Sequence, residues 1–240
     1  MTGRSCGLVG VDGCRAGWIA VSERNGDFAI EIRPTFREIV EGHCEAIIAV
    51  DMPIGVPERV SGSGRGPEQA VRPLLGARQS SVFSIPSRRA VYAGDYRAAC
   101  TAALATSVPP KKVSRQAFNL FGKIREIDAL ISAELERRVF EVHPELAFWQ
   151  LNRERPLAEP KKMKSRVHEP GMHERRSLLA RNGFEPEFLT QAPPRGAAAD
   201  DFLDACACLA IARRIAAGRA RPFPDPPLRT ETGIRIAIWA

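Results

Sequence analysis

The chain has 240 residues, of which 44% are hydrophobic and 26% are charged, a composition typical of a soluble globular protein. This length is enough for one hydrophobic core, so we expect a single domain over residues 1–240. No stretch approaches the length of about 20 apolar residues that crosses a bilayer. Asp12 interrupts the first apolar run, which argues against a signal peptide. We therefore expect a cytoplasmic protein with no membrane partner.

The net charge of +7 favours a polyanionic partner such as nucleic acid, either DNA or RNA, without requiring one. The oligomeric state stays open, and a homodimer is compatible with the composition. The cysteines form no CxxC pair and lack the spacing of zinc ligands. We expect reduced thiols that pack as small hydrophobic residues at Cys6, Cys14, Cys44, Cys100, Cys206 and Cys208.

The first fifty residues are typical of a β-meander. Apolar runs at 6–12 and 17–23 precede an alternating stretch at 28–33, and a glycine lies in each connection. A short helix is predicted over 35–42. A fourth strand begins at Ala46 and ends at an acid, Asp51, in front of a proline and a glycine that stop it.

The rest of the chain predicts helices, two more strands and long loops. The Gly-, Pro-, Ser- and Arg-rich stretch at about 56–87 predicts a long loop insertion. The other predicted elements are helices over 88–106, 114–138 and 200–217, strands over 138–145 and 234–238, and a basic loop over 153–176.

Three of the predicted strands end in acids, namely Asp12, Asp51 and Glu141. On the late helix, Asp201 and Asp204 are three residues apart and share a face. Carboxylates brought close together repel one another unless a proton or a cation lies between them. Magnesium prefers carboxylate oxygens, and two such ions can activate water for phosphodiester cleavage. The pattern therefore predicts a site for Mg²⁺ or Mn²⁺, while the first acid of the late helix, Asp200, is equally read as a helix cap.

Six motifs together resemble domain of unknown function 429, a family described as predicted nucleases of ribonuclease H fold. The motifs occur in this order: GVDGCRAGW, AVDMPIGVPE, GARQSSVFSIPSR, SRQAFNLFGKIREID, EVHPELAFW and DDFLDACACLA. The resemblance implies an α/β, ribonuclease H-like fold. Its five-stranded mixed sheet would have the order 3-2-1-4-5, with strands one to three antiparallel and helices on both faces.

Within that fold, a further resemblance to Holliday-junction resolvase-type enzymes implies roles for the acids. Asp12 and Asp51 would bridge the metals, and Asp201 and Asp204 would complete the coordination. Glu141 would lie one strand further along, as a ligand or as a group behind the ligands. The implied catalytic residues are thus these five, with Asp12, Asp51 and Asp204 as the metal ligands.

Polar groups near these acids are candidates for substrate binding. Arg78 and Ser81 combine a guanidinium and a hydroxyl, which suit phosphate oxygens, whereas Ser87 is typical of a helix N-cap. Gln116 and Lys123 lie on a polar helix stripe that is either a solvated face or, by the family resemblance, a face towards the site.

Three other features have two readings each. His143 is either a general acid or base, or a backbone hydrogen-bonding partner before Pro144. The basic run from Lys161 to Arg166 is either a solvated loop or an arm for nucleic acid. Trp18 and a second tryptophan at position 149 are predicted to be core residues.

The prediction for function is a metal-dependent nuclease. The alternatives are an ATP-dependent phosphotransferase on the core shared by actin-like and sugar kinases, or a non-catalytic nucleic-acid-binding module. Kinases of that kind hold ATP phosphates on small residues in the first strand turn, where this chain carries the bulky Arg15. We therefore expect Arg15 to contact the nuclease substrate instead.

Overall fold

The structure is a computed structural model that describes residues 7–164 and 166–240. The strands are β1 (Leu8–Cys14), β2 (Gly17–Arg24), β3 (Asp27–Arg33), β4 (Ile47–Val50), β5 (Val60–Ser61), β6 (Ser107–Val108), β7 (Val139–Glu141), β8 (Lys162–Met163), β9 (Arg166–Val167), β10 (Pro222–Arg229) and β11 (Arg235–Trp239). The α-helices are α1 (Phe36–Gly42), α2 (Gly66–Val71), α3 (Arg88–Val91), α4 (Tyr96–Thr106), α5 (Arg115–Asn119), α6 (Phe121–Asp128), α7 (Pro144–Leu151), α8 (Glu169–Arg181), α9 (Pro186–Leu189) and α10 (Ala199–Ala216). Short 3₁₀ turns cover Arg72–Leu74, Gly76–Ser81 and Leu135–Arg137.

The central sheet has five strands in the order β3-β2-β1-β4-β7. The pairs β1–β2 and β2–β3 are antiparallel, whereas β1–β4 and β4–β7 are parallel. The predicted order 3-2-1-4-5 is confirmed, because β7 is the fifth strand of this sheet and the short strands β5 and β6 pair with each other. The sheet is therefore mixed, as expected.

Helices pack on both faces of this sheet. Val9 and Val11 of β1 lie in a buried cluster with α1, α4, α5 and α6. On the opposite face, Ile19 and Val21 of β2 lie in a cluster with α7, α8 and α10. The alternation follows from the period of two in a strand, which sends successive side chains to opposite faces. Trp18 and Trp149 are both buried, which confirms their prediction as core residues.

Gly10 sets how closely α10 approaches β1. A Cβ atom at Gly10 would lie 2.1 Å from the carbonyl oxygen of Ala205 and 2.2 Å from the backbone nitrogen of Leu209. We expect Gly10→Ala to destabilise the fold by about 3 kcal/mol or more, since neither backbone can give way cheaply. Gly122→Ala is the control, because nothing lies within 4 Å of that position in α6. Denaturant unfolding of both variants measures the difference, and a Gly10→Ala protein of wild-type stability would contradict the close contact.

Several predicted boundaries are wrong. The expected loop over 56–87 contains α2 and two 3₁₀ turns. The helix expected over 88–106 divides before Asp95, whose carboxylate accepts a hydrogen bond from the N–H of Ala98 and so starts a new helix, α4. The helix expected over 114–138 is likewise divided, and α6 ends at Asp128.

Three further differences occur in segments that are rich in proline or in basic residues. The basic loop expected over 153–176 contains the β8–β9 pair, and α8 begins at Glu169. Strand β10 was not expected, because its prolines lack the N–H that marks a strand. It pairs with β11 across an irregular register between Phe223 and Leu228. Strand β7 ends at Glu141 because Pro144 opens α7.

Two expectations from composition can be compared with the described residues. Free thiols occur at Cys14, Cys44, Cys100, Cys206 and Cys208, whereas Cys6 lies outside the described residues. All of these thiols except that of Cys44 are buried. None of the described helices combines the length and the apolar character that a membrane crossing needs.

Candidate metal and substrate site

The parallel pairing of β1 and β4 places two acids side by side. Val11 lies opposite Val50 in the register, so the next residues, Asp12 and Asp51, are neighbours. The backbone N–H of Asp51 donates to the carbonyl oxygen of Val11 at 2.9 Å, which continues the ladder as far as the acids. The prediction that the two carboxylates lie on adjacent strands at one edge of the sheet is confirmed.

A third acid reaches the same point from α10. One carboxylate oxygen from each of Asp12, Asp51 and Asp204 lies within 4.8 Å of the other two, and we call these three residues the acidic cluster. Asp12 and Asp204 are buried and Asp51 is half-buried. Oδ1 of Asp204 is buried without a hydrogen-bond partner among the described residues. Three hard oxygen donors and an unsatisfied oxygen fit a divalent cation such as Mg²⁺ or Mn²⁺.

The cluster retains protons when no cation is bound. Burial raises the pKa of Asp12 well above its usual value, and the charges of Asp51 and Asp204 raise it further. Burial, followed by the charge of Asp204, raises the pKa of Asp51 to about 8. The pKa of Asp204 is also raised, chiefly by burial. At neutral pH a metal ion would therefore displace at least one proton from the cluster.

We expect the stability of the metal-free protein to fall as the pH rises. The Asp51 carboxyl group titrates at about 4 in an unfolded chain and at about 8 in the folded protein. Between these values the folded state binds more protons than the unfolded state, so the free energy of unfolding decreases with pH. Denaturant unfolding from pH 4 to pH 9 in EDTA measures the slope. Asp51→Asn is expected to flatten it, and an unchanged slope in that variant would contradict the assignment.

A lysine from the β8–β9 segment balances part of the acidic charge. The ammonium group of Lys161 donates to Oδ2 of Asp204 and lies 3.8 Å from Oδ2 of Asp200. Burial alone would lower the pKa of Lys161, but the carboxylates of Asp204 and Asp12 outweigh it and raise the pKa above its usual range. The neighbouring Lys162 lies 2.6 Å from Asp200. The basic run was expected to be either a solvated loop or an arm for nucleic acid. Neither description fits these two lysines, because both pair with acids of α10.

Glu141 lies beside the acidic cluster but has a different partner. Its carboxylate accepts from the guanidinium of Arg65 at 2.6 Å and from the N–H of Ile54 at 2.7 Å. Arg65 also binds the buried Glu68, at 2.8 Å. Burial raises the pKa of Glu141 to about 7 even with Arg65 against it. Glu141 therefore lies outside the acidic cluster, and its predicted catalytic role stays a prediction.

The cap of α10 is formed by a different acid from the one expected. Oδ2 of Asp201 accepts from the backbone N–H of Ala198 at 2.9 Å, so Asp201 is the acid that caps the helix. Asp200, the residue read as a cap, is buried and pairs with Lys162. Asp201 lies outside the acidic cluster, and its role as a catalytic residue stays a prediction.

A cavity of about 200 Å³ opens beside the acidic cluster. Asp12, Asp51 and Glu141 line it together with Ser81 and Lys123, two residues predicted to bind substrate. The ammonium of Lys123 donates to the carbonyl oxygen of Gly17 at 2.5 Å and lies 4.4 Å from the ring centre of Trp18. Lys123 thus adds a positive charge to a cavity wall that also contains the carboxyl groups of Asp12, Asp51 and Glu141.

Other predicted substrate residues lie outside the cavity wall. Arg15 and Gln116 are exposed and do not line it. Arg78 is half-buried on the 3₁₀ turn that also carries Ser81, and its Nε has no hydrogen-bond partner among the residues described. The hydroxyl of Ser81 donates to the carbonyl oxygen of Arg78. Ser87 caps α3 by accepting from the N–H of Ala90, as predicted.

His143 lines the cavity next to Glu141. Its Nε2 lies 3.4 Å from the carbonyl oxygen of Ser81, which favours the backbone-bonding reading. Burial lowers the pKa of His143, so the ring is neutral at pH 7. Because a carbonyl oxygen can only accept, Nε2 carries the proton and Nδ1 is left as an acceptor. Nδ1 has no hydrogen-bond partner in the part of the chain that the structure describes.

A comparison with known protein families supplies a match over most of the chain. The sequence model of a family described as Protein of unknown function (DUF429) matches residues 10–229. This range contains the acidic cluster, the two lysines at β8 and every residue that lines the cavity except Ile238. The family expected from the six sequence motifs is thereby confirmed. No curated protein and no solved structure matches the chain.

Proposed function

We propose, for a chain that belongs to the family described as Protein of unknown function (DUF429), a metal-dependent nuclease activity on a ribonuclease H-like fold. The observation that carries the proposal is the acidic cluster itself. Three carboxylates from two adjacent parallel strands and a late helix approach within 4.8 Å, although their burial and mutual repulsion are costly. Such a cost is typical of sites that trade stability for activity.

The order of the sheet supports the ribonuclease H-like part of the proposal. An antiparallel meander, β1 to β3, is followed by two parallel strands on the other side of β1. The first acid lies on β1 and the second directly after β4, and the third lies on the late helix α10. This arrangement of acids on a mixed sheet is the one expected from the sequence resemblance.

Each role in phosphodiester hydrolysis is assigned to particular residues of the chain. Asp12, Asp51 and Asp204 would hold Mg²⁺ or Mn²⁺, which supplies an activated water and stabilises the leaving oxygen. Lys123 lines the cavity next to these acids and offers an ammonium group to a phosphate oxygen. Lys161 neutralises the cluster until substrate and cation arrive, because its ammonium group binds Asp204.

A screen for cleavage tests the proposal. Labelled single-stranded, double-stranded, branched and hybrid oligonucleotides are incubated with the protein in Mg²⁺, in Mn²⁺ and in EDTA. We expect cleavage in the metal-containing reactions only, and its loss in Asp204→Asn. Asp201→Asn tests the predicted catalytic role of an acid on the same helix that lies outside the acidic cluster. Asp95→Asn is the control, because Asp95 is the exposed cap of α4. Absence of cleavage on every substrate, together with no metal-induced stabilisation, would leave a binding module.

Arg78 provides a test of nucleic-acid binding that does not depend on cleavage. Nε of its guanidinium is buried without a hydrogen-bond partner among the described residues, and the same turn contributes Ser81 to the cavity wall. We expect Arg78→Ala to weaken binding of a labelled oligonucleotide and to reduce the salt slope by about 1, because one phosphate contact is lost. Fluorescence anisotropy across a range of NaCl concentrations measures both quantities. Equal affinity and equal salt slope would assign Arg78 a structural role.

A further inference from the structure

The cavity beside the acidic cluster is small and its wall is largely apolar. Its volume is about 200 Å³. This is below the range of about 300–1,000 Å³ that holds drug-sized ligands. Met52, Phe83, Leu120 and Val142 supply apolar wall, and Phe83 is half-buried, so its ring is partly accessible. A cavity of this volume with this apolar lining suits one planar heterocycle.

Two buried polar atoms in the cavity wall have no partner. Glu68 lines the cavity, is only 2% exposed, and has an Oε2 atom without a hydrogen bond to any described residue. Its Oε1 accepts from Nε of Arg65 at 2.8 Å. Burial raises the pKa of this carboxyl group, and the charge of Arg65 opposes that shift. Nδ1 of His143, also in the wall, is the second such atom. Both atoms are hydrogen-bond acceptors, so they fit a ligand that presents N–H groups.

Unsatisfied buried acceptors in a native protein call for an explanation, and a ligand supplies one. A largely apolar wall that also carries unpartnered acceptors matches a nucleobase, which has a flat apolar face and a polar edge. The exocyclic amino groups of cytosine and adenine are donors, whereas thymine presents a carbonyl oxygen and a methyl group at the same edge. Two residues of the acidic cluster, Asp12 and Asp51, also line the cavity and would hold the phosphate of the same nucleotide through a bound cation.

We propose that this cavity binds the base of one unpaired nucleotide through Glu68 and His143, and prefers a base that carries an amino group. The inference deepens the proposed nuclease function, on which it rests for the position of the phosphate. It defines the substrate class as nucleic acid with an unstacked nucleotide at the site, either in a single strand or extruded from a duplex. A base pair cannot enter, because the cavity holds one ring system.

A one-base probe tests the proposal directly. Two labelled oligonucleotides of equal length consist of abasic nucleotides throughout, except that one of them carries a single central cytosine. Binding is measured by anisotropy in the Asp51→Asn protein, so that no cleavage intervenes. We expect the cytosine to strengthen binding by roughly tenfold, as stacking of one base does elsewhere. Equal binding of the two probes would overturn the proposal, and so would failure of both to bind.

Glu68→Gln tests the role of the carboxylate. If the amide oxygen of the new side chain keeps the bond to Arg65, its NH₂ group replaces the acceptor Oε2 by a donor. We expect the preference for a central cytosine over a central thymine to disappear or reverse. Glu136→Gln is the matched control, because Glu136 is also buried and paired with arginine. Phe83→Ala provides a second variant, expected to weaken binding of all bases without changing their order.

The experiments separate this inference from the nuclease proposal. Cleavage that is indifferent to Glu68→Gln, with no effect of the single base on binding, leaves the nuclease and removes the base pocket. Binding that depends on the base, without cleavage in any metal, leaves the pocket and removes the nuclease. Competition with free cytidine monophosphate identifies the source of the base: displacement at concentrations comparable to those of the one-base probe would assign the pocket to free nucleotides.

Discussion

Asp51→Asn is expected to abolish the rise in melting temperature that Mg²⁺ or Mn²⁺ gives the wild-type protein. A ligand that binds only the folded state stabilises it by about 2.7 kcal/mol at one hundred times its dissociation constant. The substitution keeps the shape of Asp51 and removes one of the three charges of the acidic cluster. Nuclease activity should fall to background in the same variant, because the cation is no longer held.

The metal-free Asp51→Asn protein is expected to be as stable as the wild type, or slightly more stable. Burial and the charge of Asp204 raise the pKa of Asp51 to about 8, so at neutral pH this carboxyl group must take up a proton on folding, a cost that asparagine does not carry. Asp95→Asn is a matched control, because Asp95 is exposed and caps α4, where asparagine serves equally well. Thermal melts of the wild type, Asp51→Asn and Asp95→Asn, each with and without metal, measure the differences in stability and in metal response. A destabilised Asp51→Asn protein that still responds to metal would refute the metal site.

Lys161→Met is expected to destabilise the metal-free protein and to increase its response to metal. Removing one partner of a buried ion pair costs about 3–5 kcal/mol. We expect about 2 kcal/mol here, because the side chain of Lys161 is 30% exposed and solvent screens part of the charge. Without the ammonium group on Asp204, a divalent cation has no internal competitor, so Mg²⁺ should raise the melting temperature by more than it does in the wild type.

Lys162→Met distinguishes this effect from a general loss of positive charge. Lys162 directly follows Lys161 in the sequence, but it pairs with Asp200, and 44% of its side chain is exposed. We therefore expect a smaller loss of stability and an unchanged metal response. Calorimetric melts of both variants in EDTA and in Mg²⁺ provide the comparison. Identical metal responses in Lys161→Met and the wild type would mean that the ammonium group and the cation do not compete.

The sequence by itself located the strands of the sheet and the acids of the cluster from local patterns. The order of the strands was an expectation from the family resemblance, which the structure confirms. Apolar runs of strand length, each ended by glycine or proline, locate β1 and β4, and the acid at the end of each run identifies Asp12 and Asp51. Their adjacency needs only one tertiary fact, that β1 and β4 pair in parallel. Asp204 was also found, because it lies beyond the cap of a helix where a buried charge has no local purpose.

Only the tertiary structure decided which charges meet. Lys161 lies 43 residues from Asp204 in the sequence, and Arg65 lies 76 residues from Glu141. A charged residue shows the same local pattern whether it is solvated or pairs with a distant buried acid, so the basic run gave no sign of its partners. The unpartnered atoms of Glu68 and His143 are likewise invisible in the sequence, since burial without a partner is a property of the packed molecule. Local periodicity therefore locates the acids, whereas the loops that fold over them decide their neutralisation and the shape of the cavity beside them.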